Sequence, residues 1–225
     1  MIIETDNFIV EVKGNINHLN KMLKSLNNKL NEILNFFNLD KLCNKNKIVI
    51  WNDLDEYKKH INHFVNDGNI DVLVIGEYSE IKGHIGRTTD DFINNITHVF
   101  VHIYHREKQK DIMQSNYYVL SDGYNDQWFH ESLATNLGNP QNFSLCELNI
   151  TKNDLMYFNE LENNYNIAYT LGNYILNNLR KDEILRYIKY PERLIADTEN
   201  ILESAKNYYG FNTKNKIGVN NGKNR

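Results

Sequence analysis

The sequence predicts an α+β protein in which a twisted mixed β-sheet with helices is followed by a mainly helical half. Strand-like alternation of apolar and polar residues is confined to the chain before Ile85, and helical spacing dominates after Thr88. The 225 residues are 41% hydrophobic and 24% charged, which is enough to bury one full core. We therefore expect a single domain over residues 1–210 and a flexible polar tail over residues 211–225.

The first half should contain four strands. Residues 8–12 alternate as a half-buried strand, and residues 16–37 carry apolar side chains at helical spacing. Residues 47–51 and 71–75 are the next strand candidates, with a helix between them that starts at residue 52 or 53 and runs to about residue 65. Residues 77–85 are expected to form an exposed edge strand with a turn at Gly83.

The second half should be helical, and no strand is expected after residue 124. One helix is predicted over residues 90–108, and a second over residues 126–137 that Gly138, Asn139 and Pro140 end. Further helical segments are predicted near residues 154–161, 165–179 and 181–209. Pro191 should break the last of these or start a new helix.

The charge and hydropathy pattern argues against two classes of partner. A net charge of -4 provides no basic field for phosphates, so we expect no nucleic acid. Charged residues interrupt every candidate for the run of about 18 apolar residues that spans a bilayer, so we expect no membrane insertion. The first 14 residues lack the apolar core of a signal peptide. We expect a soluble, cytoplasmic protein.

His98 and His102 are the first residues whose spacing suggests chemistry. They lie four positions apart on a predicted helix, so both imidazoles project from one face and can meet one ion. Taken alone, such a pair is more often solvated or packed in the core than bound to metal. Glu131 follows on the next predicted helix among residues that look buried, and a glutamate is rarely buried unless it is paired or bound to metal.

Together these two elements resemble the signature of the gluzincin zinc peptidases, in particular small bacterial proteins with a peptidase MA-like domain. That signature is HExxH on one helix and a third ligand within W-x-x-E-x-L-A on the next; here residues 98–102 read HVFVH and residues 128–134 read WFHESLA. The resemblance extends over about residues 47–190. It implies a zincin-like fold and a zinc ion bound by His98, His102 and Glu131, with water at the fourth position.

Val99 occupies the position where the family has its general base. In HExxH enzymes the glutamate takes a proton from the metal-bound water and passes it to the leaving amine, and valine can do neither. General acid-base help typically contributes roughly 10²- to 10⁴-fold to the rate. Glu107 lies more than two helical turns beyond Val99 and is not a convincing substitute.

Four further side chains near the predicted site can be interpreted in more than one way. His105 continues the face of His102 and could support or replace a ligand, although a helix-surface histidine is the simpler interpretation. His130 should point to the rim or core. Tyr165 and Tyr169 lie on a later helix, where Tyr169 is a candidate oxyanion donor and packing is the commoner role.

Three functions remain open at this point. The first is a zinc-binding pseudopeptidase that holds a peptide or protein segment in a groove between the edge strand and the helix of His98, by β-strand addition. The second is an active zinc metallohydrolase that uses an unrecognised general base. The third is an interaction protein without metal. Metal content separates the third from the others, and turnover of peptides separates the first two.

Overall fold

The computed structural model describes residues 1–5, 8–15, 18–40, 46–51, 73–74, 80–84, 89–110 and 126–211. The fold is α+β, as predicted. Backbone proximity divides the chain into two compact units, one formed by residues 1–115 with 133–142 and the other by residues 116–132 with 143–225. The single domain expected over residues 1–210 stays a prediction. The predicted helix up to residue 65 and the tail beyond residue 211 lie outside the described residues.

The first unit contains a five-stranded mixed sheet with the order β1-β2-β3-β5-β4. Its inner strands β2, β3 and β5 run parallel, and the outer strands β1 and β4 pair antiparallel to their neighbours. In the parallel register Val10 lies opposite Ile48, and Ile48 lies opposite Ile81. The strands are β1 Ile2–Glu4, β2 Phe8–Lys13, β3 Asn46–Trp51, β4 Leu73–Val74 and β5 Glu80–His84.

The prediction that residues 77–85 form an edge strand is wrong for residues 80–84, the part of this range that the structure describes. β5 pairs with β3 along its whole length and with β4 through Ile81 and Lys82, so it lies inside the sheet. Gly83 is opposite Ile50 within the strand and makes no turn there. The alternation of polar residues reports which face of a strand meets water. It does not report whether the strand's hydrogen-bonding edges are paired.

Helix α1, Leu19–Phe36, forms part of the core of the first unit. Every apolar residue that the helical spacing assigns to its inner face is buried, and Phe37 just after the helix is fully buried as well. The Phe37 ring meets the Tyr104 ring edge-on at 6.3 Å between centroids, and Phe8 meets Phe100 in the same manner at 6.3 Å. The buried α1 residues are Leu19, Met22, Leu23, Leu26, Leu30, Ile33 and Leu34.

Helix α2, Thr89–Lys110, packs against α1 and against a short π-helical segment, Ala134–Gly138. The π-helical segment continues helix α3, Gln127–Leu133, without a break, and a 3-10 turn over Pro140–Asn142 follows it. The sequence predicts this helix and its end at Gly138, but not the wider π-helical winding. Such windings occur mostly as single turns and often at functional sites.

The second unit is helical, and no strand occurs within residues 126–211, as predicted. Besides α3 it contains α4 Lys152–Met156, a 3-10 turn over Phe158–Glu160, α5 Asn164–Asn178, α6 Lys181–Lys189 and α7 Pro191–Tyr208. Pro191 stands at the start of α7, where its missing N–H costs nothing. No helix in the described part of the chain is both long enough and apolar enough to cross a membrane.

Packing of α6 against α7 includes one partly buried polar contact. The Tyr187 hydroxyl donates to Asp197 Oδ2 at 2.9 Å, and the Phe129 ring meets the Tyr187 ring edge-on. Burial, followed by the hydrogen bond and charge of Asp197, raises the pKa of Tyr187 to about 12. This contact is therefore sensitive to alkaline pH.

Candidate metal centre

Helix α2 places the imidazoles of His98 and His102 side by side. Their Nε2 atoms are 3.2 Å apart, and the ring planes meet at 70° with centroids 4.9 Å apart. Two nitrogen ligands of one tetrahedral zinc ion, each about 2.0–2.1 Å from it, stand about 3.3 Å from each other. The pair thus already has the separation that a shared ion requires.

Glu131 lies on α3 and is 8% exposed. Three apolar residues near it in sequence, Trp128, Phe129 and Leu133, are buried as well. An ionised carboxylate in such surroundings is costly unless cations or hydrogen-bond donors balance it. Helix α3 therefore presents a buried carboxylate, which is the third ligand type that the sequence suggests.

The structure brings the three predicted ligands together. One ligand atom from each of His98, His102 and Glu131 lies within 4.8 Å of the other two. Glu131 is buried, and both histidines are half-buried. Two imidazole nitrogens and one carboxylate oxygen form a donor set that suits a divalent transition metal. This group could hold a metal ion.

Close packing of Gly138 on His98 positions the π-helical segment on α2. A Cβ atom at position 138 would stand 2.5 Å from His98 Cα and 2.6 Å from His98 N, which real Cβ atoms do not tolerate. Only glycine permits this approach. The segment that continues α3 is thereby fixed against the backbone of the first histidine. The sequence gives Gly138 only as a helix end and provides no signal for this contact.

Val99 is 8% exposed and places an apolar side chain directly after the first histidine. It has no atom that can accept or donate a proton. Neither His105 nor His130 belongs to the group of converging ligand atoms in the described part of the chain. The position that the family resemblance assigns to the general base thus carries no acid-base chemistry.

The surface interpretation of His105 is wrong. His105 is fully buried, and its ring lies 6.2 Å from the Phe37 ring between centroids. The α2 face that carries His105 turns into the core of the first unit, where α1 covers it. The spacing of residues along α2 alone does not show that α1 packs there. His130 is half-buried, and its Nε2 lies 3.3 Å from Asp126 Oδ2.

Tyr165 is electrostatically linked to Glu131. Desolvation raises the pKa of the Tyr165 phenol, and the negative charge of Glu131 adds to the increase. Tyr165 stacks on Phe143 with 5.8 Å between centroids and 14° between planes, and Tyr169 tilts against the same ring at 6.3 Å. The role of Tyr169 as oxyanion donor stays a prediction, and the sequence carries no signal for the link between Tyr165 and Glu131.

Comparison with protein-family models and with curated proteins gives no match to this chain. The gluzincin resemblance therefore rests on the residues of the two sequence elements and on the three side chains that converge.

Proposed function

We propose that this chain is a zincin-like protein that binds one zinc ion through His98, His102 and Glu131 and holds a peptide or protein segment there without cleaving it. The observation that carries the proposal is the convergence of the three ligand atoms within 4.8 Å, with the two Nε2 atoms 3.2 Å apart.

Zinc is the metal that the gluzincin resemblance implies, and the donor set of two imidazoles and one carboxylate is compatible with it. Sites with two histidines and one glutamate are typical of zinc hydrolases, where the fourth coordination position stays open. His98 and His102 would hold the ion through Nε2, and Glu131 through its carboxylate. A bound zinc ion would supply Lewis acidity to an oxygen atom, such as the carbonyl of a peptide or a C-terminal carboxylate.

Binding without cleavage follows from Val99. A base beside the water that attacks the carbonyl typically accelerates hydrolysis at such a centre by roughly 10²- to 10⁴-fold. The buried side chain of Val99 is apolar at the position that the resemblance assigns to this base. The chain therefore keeps three metal ligands but lacks the group that would carry out the proton transfer of turnover.

The bound segment cannot add to β5 as the sequence suggested, because that strand already has a neighbour on each side. A different surface supports the proposal of a peptide partner. Tyr165 is 46% exposed and stacks on the half-buried Phe143. The negative charge of Glu131 contributes to the raised pKa of the Tyr165 phenol. An apolar side chain of the bound segment could lie against this ring pair while a main-chain oxygen binds the metal.

The test measures zinc affinity by competition with a chromophoric chelator. The wild type should bind one zinc per chain, whereas His98→Ala and Glu131→Gln should each weaken binding strongly. His130→Ala is the matched control, because His130 adjoins Glu131 but lies outside the ligand group. A wild type with no zinc affinity would contradict the proposal and favour an interaction protein without metal.

Peptide turnover by the zinc-loaded wild type decides between the two metal-binding functions. We expect little or no cleavage of a broad peptide library. Cleavage that is lost in His98→Ala would favour the active hydrolase with an unrecognised base and contradict the pseudopeptidase.

A further inference from the structure

Lys29 of α1 connects the two backbone segments that meet at His98. Its ammonium group donates to Asn94 Oδ1 at 2.7 Å and to the carbonyl oxygen of Gly138 at 3.1 Å. Asn94 lies one helical turn before His98 on α2 and is buried. Gly138 ends the π-helical segment and lies directly against the His98 backbone. One side chain from a third element therefore binds both of the segments that meet at this close contact, at Asn94 on one and at Gly138 on the other.

The chemistry of this contact suits a lysine. The last carbonyl groups of a helix have no partner within the helix and carry partial negative charge, so a cation there is favourable. Hydrogen bonds from a charged donor are also stronger than neutral ones, particularly where water is partly excluded. A second contact, from Asn139 Nδ2 to Asn95 Oδ1 at 3.2 Å, ties the same two segments next to the first.

We propose, on the basis of the zinc-binding function above, that Lys29 is a positioning residue of the metal centre. By holding Gly138 and Asn94 together it fixes the π-helical segment on α2. Because this segment continues the helix of Glu131, the same contact constrains the carboxylate ligand. Lys29 acts on zinc affinity through the backbone of these segments and is not itself a metal ligand.

The variant Lys29→Met tests this inference, since it replaces lysine with an unbranched side chain one heavy atom shorter and removes the charge and the donors. Loss of a residue that hydrogen-bonds a metal ligand typically weakens metal binding by about 10- to 100-fold. Lys29 bonds Asn94 and Gly138 and no ligand, so we expect an increase in zinc Kd of about 10-fold, the lower end of that range. Lys29→Arg, which keeps a cation, should retain most of the affinity. Lys24→Met is the matched control, because Lys24 lies on the exposed face of the same helix.

Amide hydrogen exchange of the metal-free protein provides a readout that does not depend on zinc. Residues 134–138 should exchange faster in Lys29→Met than in the wild type and in Lys24→Met. If Lys29→Met does not fold, Asn94→Ala removes one of the two acceptors. It should show a smaller increase in zinc Kd and a smaller acceleration of exchange at residues 134–138. Wild-type zinc Kd together with wild-type exchange at residues 134–138 would overturn the inference.

The two readouts also separate this inference from the proposed function. Faster exchange in Lys29→Met, in a protein whose wild type binds no zinc, would leave the Lys29 contact established and remove its role in metal binding. Normal exchange with weakened zinc binding would contradict the positioning mechanism and leave the metal site itself intact.

Discussion

Gly138 packs on His98 so closely that a methyl group at position 138 would overlap the His98 backbone, at 2.5 Å from its Cα atom. The π-helical segment Ala134–Gly138 continues the helix that carries Glu131. The contact at Gly138 determines where this segment passes α2, the helix that carries the two histidines. Because both sides of the contact are backbone, neither can move aside by a change of rotamer. The geometry of the candidate metal centre therefore depends on a residue that binds no metal.

Gly138→Ala should destabilise the protein and weaken zinc binding together. Forcing extra atoms into a packed contact typically costs about 1–3 kcal/mol, and we expect a loss of that size in the free energy of unfolding by urea. Gly210→Ala is a useful comparison, since Gly210 has a φ of 72° but no atom within 4 Å of the position that a methyl group would take. It should lower stability through backbone strain and leave zinc Kd unchanged. Equal zinc Kd in both variants would contradict the role of the Gly138 contact.

Val99→Glu should give the zinc-loaded protein more peptidase activity than the wild type, in which we expect little or none. A glutamate at position 99 adjoins the first ligand and would reach the metal-bound water from the same helix. Because Val99 is buried, the new carboxylate should also lower the stability of the metal-free protein. The assay compares the variant with Val99→Glu/His98→Ala, in which activity should disappear. Activity that survives the loss of His98 would come from another source.

Glu131→Gln should lower the pKa of Tyr165 in the metal-free protein. The carboxylate disfavours the charged phenolate, so removing its negative charge brings the pKa closer to the ordinary value. Part of the shift should remain, because desolvation is its larger cause. A 13C-tyrosine NMR titration, with Tyr165→Phe to assign the signal, measures the change. An unchanged pKa would place Glu131 away from Tyr165.

Tyr187 should make the protein sensitive to alkaline pH. Its pKa of about 12 in the folded state lies above the ordinary value of 10.0, so the neutral phenol is favoured by folding. That contribution is fully present below pH 10 and is lost as the pH rises towards 12. The stability advantage of the wild type over Tyr187→Phe should therefore shrink across this range in urea titrations. A constant difference would exclude Tyr187 as the cause.

The helical parts of the fold could be predicted because burial there follows a period of about 3.6 residues. The buried residues of α1 are those that the spacing assigns to its inner face, and Pro191 marks the junction of α6 and α7. The grouping of His98, His102 and Glu131 was also predictable, from the spacing of the two histidines and from the resemblance of residues 98–102 and 128–134 to the two gluzincin elements. These signals are local in sequence and need no knowledge of the neighbouring elements.

The errors concern features that depend on neighbours. β4 lies within the strand predicted over residues 71–75, but the alternation of side chains does not show that this strand pairs with β5. His105 is buried because α1 covers that face of α2. From the sequence alone Lys29 cannot be distinguished from the other lysines of its helix, because its partners Asn94 and Gly138 lie on other elements. The π-helical segment has no periodicity of its own over five residues.

Zinc K-edge X-ray absorption of the zinc-loaded wild type tests the central claim most directly. We expect a first shell of nitrogen and oxygen at about 2.0–2.2 Å with the multiple-scattering pattern of two imidazoles. In His98→Ala one imidazole should be lost from this pattern, whereas His130→Ala should reproduce the wild-type spectrum. A shell containing sulfur at about 2.3 Å, or one without imidazole, would contradict the assignment of His98, His102 and Glu131 as the metal ligands.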